Sequence, residues 1–393
     1  MRRTFVVGQI ATSMVLLCGA ALLLRSFHNL ELQNTGVQTQ GVLAVGVPLP
    51  RYRYGTPQKR MDFFLRAEAA LRRLPGVASV ALSDTLPPGD LHQEKIFNNI
   101  AVAGHQRSSN GTGGMVAWRW VSPQYFSTLD IPILQGLAFR EDERSESERP
   151  VILSKFLATR LFGDENPVGQ RIQPVPGGEW LTIQGVAANV KNAGLRGDDE
   201  PEFYRLRRDV AEDWDQSAVL ALRTSAPPDA AMPWVRAQIA QIDPTVPVKV
   251  ESLSRQVSEL ADEPRFEMTL VGFFACCGLL MALIGLYGVT AFVAAQRTQE
   301  IGVRMALGAT RVHILRLIVV EGARLIVLGA VLGLGAALAM AQLLKSLLFN
   351  VEPRDPITYA AVTLLLALVA LAATLIPARA AMKVEPVVAL RYE

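Results

Sequence analysis

Apolar residues in this chain are gathered into four runs, Phe5–Leu24, Phe266–Val293, Leu325–Leu344 and Ile357–Ile376. A helix crosses the hydrocarbon of a bilayer with ~20 consecutive, mostly apolar residues, and each run is long enough. Between the first two lies a polar stretch, Arg25–Arg265, large enough to bury a core of its own. The pattern predicts a polytopic α-helical membrane protein with four transmembrane helices and one large α+β extracytoplasmic domain. The predicted boundaries are residues 1–24 for the first helix, 25–265 for the polar domain, and 266–393 for the other three helices and their loops.

Inside the polar stretch the period becomes that of strands and short amphipathic helices. Leu43–Pro48 reads as a strand. Thr56 is an N-cap with Pro57 at the first helical position, a common opening. That helix runs to about Leu74 with Met61, Phe64, Leu65 and Leu71 on one side. Pro75-Gly76 ends it, and Val77–Leu82 reads as a second strand. A similar unit lies near the far end: strand Ala218–Arg223, helix Asp229–Ile242, strand Val246–Val250. Two such β-α-β units predict a split ferredoxin-like layer made from both ends of the stretch. The middle, about residues 90–215, is then an inserted subdomain with its own small sheet, including strands Met115–Val121 and Leu181–Val190 and helices after Ser122-Pro123 and from Ser154. Gly104–Gly114 reads as a flexible polar loop and Glu141–Arg149 as a solvated charge run. Ser252–Pro264 reads as helical and continuous with the second apolar run, so that one helix extends past the bilayer.

Charge sets the orientation, because basic residues near span ends mark the cytoplasmic side. Arg2 and Arg3 place the N-terminus there, as Arg379, Lys383 and Arg391 against Glu385 and Glu393 place the tail. The loop after the second span carries Arg297, Arg304, Arg311 and Arg316 against Glu300, whereas Lys345–Pro356 is short and balanced. The first run could be a secretory signal. Its length, the Arg25 that follows it and the poor cleavage context at Gly19-Ala20-Ala21 favour a retained helix. Half of all residues are hydrophobic and mean hydropathy is +0.25, which suits this topology better than a single soluble domain.

The same composition excludes much chemistry. A net charge of +3, with 27 Lys/Arg against 29 Asp/Glu in Arg25–Arg265, leaves no footprint for nucleic acid. Cys18, Cys276 and Cys277 all fall in apolar runs, so the polar domain folds without a disulfide or a cysteine metal site. There is no G-x-x-x-x-G-K-[ST] loop, no G-x-S-x-G and no H-E-x-x-H. His28, His92, His105 and His313 are dispersed, and His92 with Glu94 reads as a loop pair without catalytic partners. Asn110-Gly111-Thr112 matches a glycosylation acceptor by chance. The acidic run Asp198, Asp199, Glu200 and Glu202 reads as a solvated turn before a cation site. No enzyme activity, metal or cofactor is expected.

One segment has an order of residues that its charge does not explain, Gln299-Glu300-Ile301-Gly302-Val303-Arg304-Met305-Ala306-Leu307-Gly308-Ala309, within a cytoplasmic loop of about residues 296–316. It reads as a short helix that stops at Gly308, since glycine takes the left-handed conformation that ends a helix. Glu300 and Arg304, at i and i+4, share a helical face in the better order for pairing. Leu307 adds an apolar anchor beside them. An exposed pair of this kind contributes only ~0.3–0.5 kcal/mol to folding, so the face reads as a docking surface. In the spans, Gly329 and Gly333 form a G-x-x-x-G, and Gly278, Ala282 and Gly285 recur at helical spacing. Such small residues suit close helix packing, the alternative being glycines that face lipid. Glu321 and Arg324 read as a shallow pair at the membrane interface.

The loop resembles that of FtsX/MacB-type ABC permeases, which runs R-x-x-E-I-G-I-R-x-A-x-G-A. Arg297, Glu300, Ile301, Gly302, Arg304, Ala306, Gly308 and Ala309 match it, with Val303 replacing isoleucine. Leu348-Phe349 and Asp355-Pro356 in the outer loop are also similar to the family, as are Ile376-Pro377-Ala378-Arg379-Ala380-Ala381 and the closing Pro386 and Ala389-Leu390-Arg391-Tyr392-Glu393. The polar stretch resembles the family's MacB-like periplasmic core domain. The similar residues are Tyr125-Phe126, Leu129-Asp130-Ile131-Pro132 with Gly136, and Leu161–Ile172 leading to Ile183-Gln184-Gly185-Val186. Gln9-Ile10-Ala11 and Leu22-Leu23-Leu24-Arg25-Ser26-Phe27 look like the start of the second half of an acidobacterial duplicated orphan permease. One half is present here, which is expected to be a fragment, a truncated gene or a subunit that pairs.

The resemblance implies a multi-pass ABC transporter permease subunit of a bacterial inner membrane. It implies a separate ATPase docking on Glu300, Arg304, Leu307 and Gly308, and a second permease copy or homologous half completing a dimer. The activity implied is export, or transmission of ATP-driven movement across the bilayer. The alternative is a non-transporting sensor or adaptor whose outer domain binds a ligand or an envelope protein.

Overall fold

The computed structural model describes residues 2–88, 95–97, 100–104, 116–145, 149–175, 177–192, 194–195, 200–210, 217–296, 311–343, 345, 348–349 and 351–381. The chain forms two compact units, Gln33–Ala261 and the combination of Met1–Leu32 with Asp262–Glu393.

The first unit is built on strands whose two faces differ in side-chain size. In β1 (Val42–Pro48), Leu43, Val45 and Val47 alternate with Ala44 and Gly46. In β2 (Val77–Ser83), Val80 and Leu82 flank Ala81, and in β11 (Ser217–Thr224), Leu220 and Leu222 flank Ala221. The large side chains share one core with Phe63, Phe64, Ala67 and Leu71 of α2 (Pro57–Leu71) and Val235 and Ile239 of α5 (Pro228–Ile242). The small ones leave room on the other face for Tyr125 and Phe126 of α3 (Tyr125–Leu129), which form a second core. With β12 (Lys249–Ser252), these strands make an antiparallel layer of order β12-β1-β11-β2, drawn from both ends of the unit.

The intervening strands are β3 (Lys95–Phe97), β4 (Ala101–Val102), β5 (Val116–Val121), β6 (Ile133–Gly136), β7 (Pro150–Ser154), β8 (Arg171–Gln173), β9 (Leu181–Ala187) and β10 (Glu202–Leu206). Instead of the separate small sheet expected for this middle part, they continue the same sheet as β5-β10-β7-β9-β8-β4, with β3 on β5 and β6 on β9. α4 (Lys155–Phe162) packs on them, its first turn capped by Ser154, whose Oγ accepts from the Leu157 N–H at 3.2 Å. The two parts of the sheet meet, among the described residues, at the pair Ser83 and Val121. Buried Ser122 fastens that joint: its Oγ accepts from the Leu82 N–H at 2.9 Å and its own N–H donates to Leu82 O at 2.8 Å.

Several expectations are corrected. The last strand of the layer is Lys249–Ser252, not Val246–Val250, because Pro247 has no N–H to give a ladder. α2 stops at Leu71, not near Leu74: the chain tightens into turns in which the Arg73 and Leu74 N–H groups donate to Ala70 O and Leu71 O, and Leu74, just before Pro75, is steered away from helix. The helix read through Ser252–Pro264 is interrupted: α6 (Leu253–Glu259) ends, a turn follows, and α7 (Asp262–Gln296) begins. A continuous helix would set the Pro264 ring against the Leu260 carbonyl, whereas in a first turn proline costs nothing. The Glu141–Arg149 run is not wholly solvated: Glu143 and Arg144 are buried in a short 3-10 turn. Arg144 pairs there with Glu68 at 3.2 Å, and Glu143 accepts from the Arg140 N–H at 2.9 Å. Glu202 is not in a solvated turn either; it is 1% exposed within β10.

Asp243, at the end of α5, accepts from the Tyr54 hydroxyl at 2.7 Å and from the Thr245 N–H and hydroxyl at 2.9 and 2.7 Å, with Arg53 Nε 3.0 Å away. The Tyr54 hydrogen bond, then those from Thr245, hold its carboxyl at about 2, below the ~3.9 of an unfolded chain. A carboxylate depressed on folding stabilises the fold above the unfolded value, and that contribution is lost as pH falls through the folded one. Residues 33–261, expressed alone, are therefore expected to lose stability between pH ~4 and ~2, and Asp243→Asn to flatten that part of the profile. Urea midpoints measured at each pH check both expectations.

The second unit consists of α1 (Arg2–Glu31), α7 (Asp262–Gln296), α8 (Arg311–Met340) and α9 (Pro356–Ala381). All four contain stretches long and apolar enough to span a membrane: Thr4–Leu30, Pro264–Phe292, Gly322–Met340 and Pro356–Ile376. The first reaches beyond the Leu24 boundary expected from sequence, because the polar residues after it do not interrupt the helix and Ser26 and Leu30 are buried. α1 packs against the other three helices. Its Val6, Ile10, Met14, Cys18 and Leu22 recur every fourth residue and are almost fully buried, as this spacing on one helical face requires.

Candidate functional site

Glu300, Arg304, Leu307 and Gly308 of the predicted docking face lie outside the described residues. So do His92, Glu94, Asn110, Asp198, Asp199 and the chain end from Lys383, as does the side chain of Glu321. The flanks of the loop are described, and both are helical: α7 ends at Gln296 and α8 begins at Arg311.

The four glycines singled out in the spans all stand against α1. A Cβ on Gly278 would lie 3.3 Å from Leu16 Cδ1 and 3.4 Å from Ser13 Oγ, and one on Gly285 would lie 2.1 Å from Gln9 Oε1. On Gly329 it would lie 2.7 Å from Ile10 Cβ, and on Gly333 2.6 Å from Met14 Cβ and 2.9 Å from Ala11 Cα. α7 and α8 thus approach α1 more closely than larger residues permit. Ser13 Oγ also donates to Gly278 O at 2.7 Å, a bond from one membrane-spanning helix to another. The G-x-x-x-G face of α8 is therefore occupied within the chain.

Beyond this packed region, three consecutive residues of α1 reach three different segments. The Arg25 guanidinium pairs with the Asp355 carboxylate, which also accepts from the Thr358 N–H at 3.0 Å in the first turn of α9. Ser26 Oγ accepts from the Phe349 N–H at 2.7 Å. The Arg265 guanidinium, in the first turn of α7, stands 5.6 Å above the Phe27 ring. Hydrogen bonding from Thr358, with Arg25 adding to it, holds the Asp355 carboxyl below the ordinary carboxylate range. In the sequence, Arg25-Ser26-Phe27, Leu348-Phe349 and Asp355-Pro356 were separate fragments of one resemblance; nothing there shows that they meet.

The α/β unit holds a buried polar cluster that the sequence reading missed. Arg119 on β5 pairs with Glu202 on β10 and donates to Asn192 Oδ1 at 2.7 Å, while Asn192 Nδ2 donates to Glu202 Oε2 at 2.7 Å. Arg119 also donates to the Tyr125 hydroxyl at 3.3 Å. Every one of these groups is internally satisfied, so the cluster reads as a structural tie between β5, β10 and α3.

Comparison with known proteins agrees with this architecture. A family model described as the MacB-like periplasmic core domain matches residues 6–260, and one described as the FtsX-like permease C-terminal matches residues 272–386. The probable syringafactin export ATP-binding/permease protein SyfD of Pseudomonas syringae is 27% identical over 278 residues, 69% of this chain and 41% of that protein. The macrolide export ATP-binding/permease protein MacB of Neisseria meningitidis is 25% identical over 286 residues, 70% of this chain and 43% of that protein. This chain thus spans less than half the length of either relative. The crystal structure of the periplasmic region of MacB from Actinobacillus actinomycetemcomitans aligns with 58% of this chain and 96% of its own, at 13% identity and a TM-score of 0.40. With one domain family covering residues 6–260 and the other most of the remainder, this chain belongs to the FtsX/MacB-type permeases and is an inner-membrane protein with four membrane-spanning helices and a periplasmic α/β domain.

Proposed function

We propose that this chain is the permease subunit of an ABC transporter, coupling ATP hydrolysis on a separate ATPase to export or to mechanical signalling across the inner membrane. The observation that carries the reading is the FtsX-like permease match over residues 272–386, which includes the whole Gln299–Ala309 segment. The names of both relatives pair ATP binding with a permease and with export. These 393 residues contain no phosphate-binding G-x-x-x-x-G-K-[ST] loop and span less than half of either relative; in this reading the nucleotide is held outside this stretch, on a separate ATPase. The basic flanks support a cytoplasmic placement of both termini and of the 296–316 loop, where such a partner would be. We place its contact on Glu300, Arg304 and Leu307, with Gly308 at the end of the short helix that the sequence predicts there. A second permease copy or homologous half completes the assembly, and it docks away from the Gly329 and Gly333 face that α1 already fills.

Charge reversal tests the docking face. Arg304→Glu is expected to weaken ATPase binding at least about tenfold, as loss of an interfacial charge pair does, and to lower stimulated hydrolysis. Arg311→Glu, outside the face, is expected to preserve both, and membrane insertion is expected to survive in each variant. Equal losses would show that the loop acts only through its net positive charge.

A further inference from the structure

We propose that Arg25, Ser26 and Phe27 are positioning residues, a clasp that fixes the rotation and depth of α1 against α7 and α9 at the outer end of the helical bundle. Successive residues of a helix point about 100° apart, so three in a row can address three neighbours. Here each does so: Arg25 takes Asp355 ahead of α9, Ser26 takes the backbone at Phe349, and Phe27 takes Arg265 of α7. The apolar stripe from Val6 to Leu22 holds α1 in the bundle, and the Ser13–Gly278 hydrogen bond gives it one directional contact to α7; apolar burial is itself non-directional, and the stripe supplies no such contact to α9. Ion pairs and hydrogen bonds are directional and supply what the stripe lacks.

The placement matters because of the order of the chain. α1 is the helix from which the chain passes to Gln33, and α7 is the helix it enters on leaving Ala261. Phe27 and Arg265 lie close in sequence to those two points, so their contact ties together both chain connections of the periplasmic domain. Asp355 extends the tie to α9, whose first turn it caps through Thr358. Ser26 is 5% exposed and has its hydroxyl committed to Phe349, so the middle of the clasp is built in rather than adventitious. The use of this clasp in passing movement outward rests on the permease function proposed above; its existence as a register device does not.

The test uses the full-length chain in lipid nanodiscs, with Cys18, Cys276 and Cys277 replaced by alanine and paired spin labels introduced at His28→Cys with Thr269→Cys, or His28→Cys with Ile357→Cys. Each pair is expected to give one narrow distance peak. Arg25→Ala is expected to lose the narrow 28–357 peak, and Phe27→Ala the narrow 28–269 peak. The midpoint of thermal unfolding is expected to shift by no more than about 4 °C in Arg25→Ala, as for loss of an exposed ion pair. Arg25→Lys should retain the peak, and the exchange Arg25→Asp with Asp355→Arg should restore it, which a residue that merely fills space would not do. Unchanged peaks in Arg25→Ala and Phe27→Ala, or failure of the exchange to restore the first, would overturn the clasp. No ATPase enters these measurements, so the clasp can fail while the docking face stands, and the reverse.

Discussion

Replacing Glu202 with alanine is expected to destabilise the periplasmic domain by about 3–5 kcal/mol, the range for removing one partner of a buried charge pair. Arg119 and Glu202 are 2% and 1% exposed. Burial alone draws the Arg119 guanidinium down, but the Glu202 carboxylate beside it outweighs that and raises it above its ordinary value. Without the carboxylate, a charge that cannot reach water loses its counterion, and Asn192 Nδ2 loses its acceptor. The loss is expected as a lowered urea midpoint with an unchanged slope in residues 33–261. The double variant Arg119→Met with Glu202→Leu should be less damaging than Glu202→Ala, because it leaves no buried charge unpaired. A single-variant loss below about 1 kcal/mol is what a solvated pair would give, and it would contradict the burial described.

The second large effect belongs to the helical bundle. Gly333→Leu places a Cβ 2.6 Å from Met14 Cβ and 2.9 Å from Ala11 Cα. The latter is backbone and cannot turn aside, so α8 must move off α1. Overpacking of a tight contact costs about 1–3 kcal/mol, and here the displacement runs along two helices. Gly335 is the matched control on the same helix, since a Cβ there meets nothing within 4 Å. Thermal unfolding in detergent is expected to show a clear drop for Gly333→Leu and little change for Gly335→Leu. Equal behaviour would mean that α1 and α8 are not in close contact.

The legibility of this fold in its sequence follows the range of the interactions. The spans, the N-cap at Thr56, the helix start at Ser154 and the β-α-β segments at either end depend on residues within a few positions of each other, and they could be read directly. The burial of Glu202 and Arg144 could not. Their partners lie 83 and 76 residues away, and an acidic or mixed charge run has the same local pattern whether it is solvated or paired. The break at Leu260–Ala261 had a local signal in Pro264, obscured by the helical propensity on either side. The predicted site divides in the same way. The glycine spacing was legible, but that all four glycines face α1 was not, because the identity of the opposing helix is a tertiary fact. The docking residues Glu300, Arg304, Leu307 and Gly308 rest on sequence and remain a proposal.

The central claim is that a separate ATP-binding chain works through this permease. The most direct measurement is affinity purification of the full chain from membranes of its own host in mild detergent, followed by assay of ATP hydrolysis in the purified material with the wild type and with Arg304→Glu. The account predicts that a distinct ATP-hydrolysing subunit accompanies the wild-type chain in fixed proportion, that ATP crosslinks to that subunit, and that both association and activity are lost with Arg304→Glu. Recovery of the intact chain with no such subunit, or ATP crosslinking to this chain itself, would contradict it.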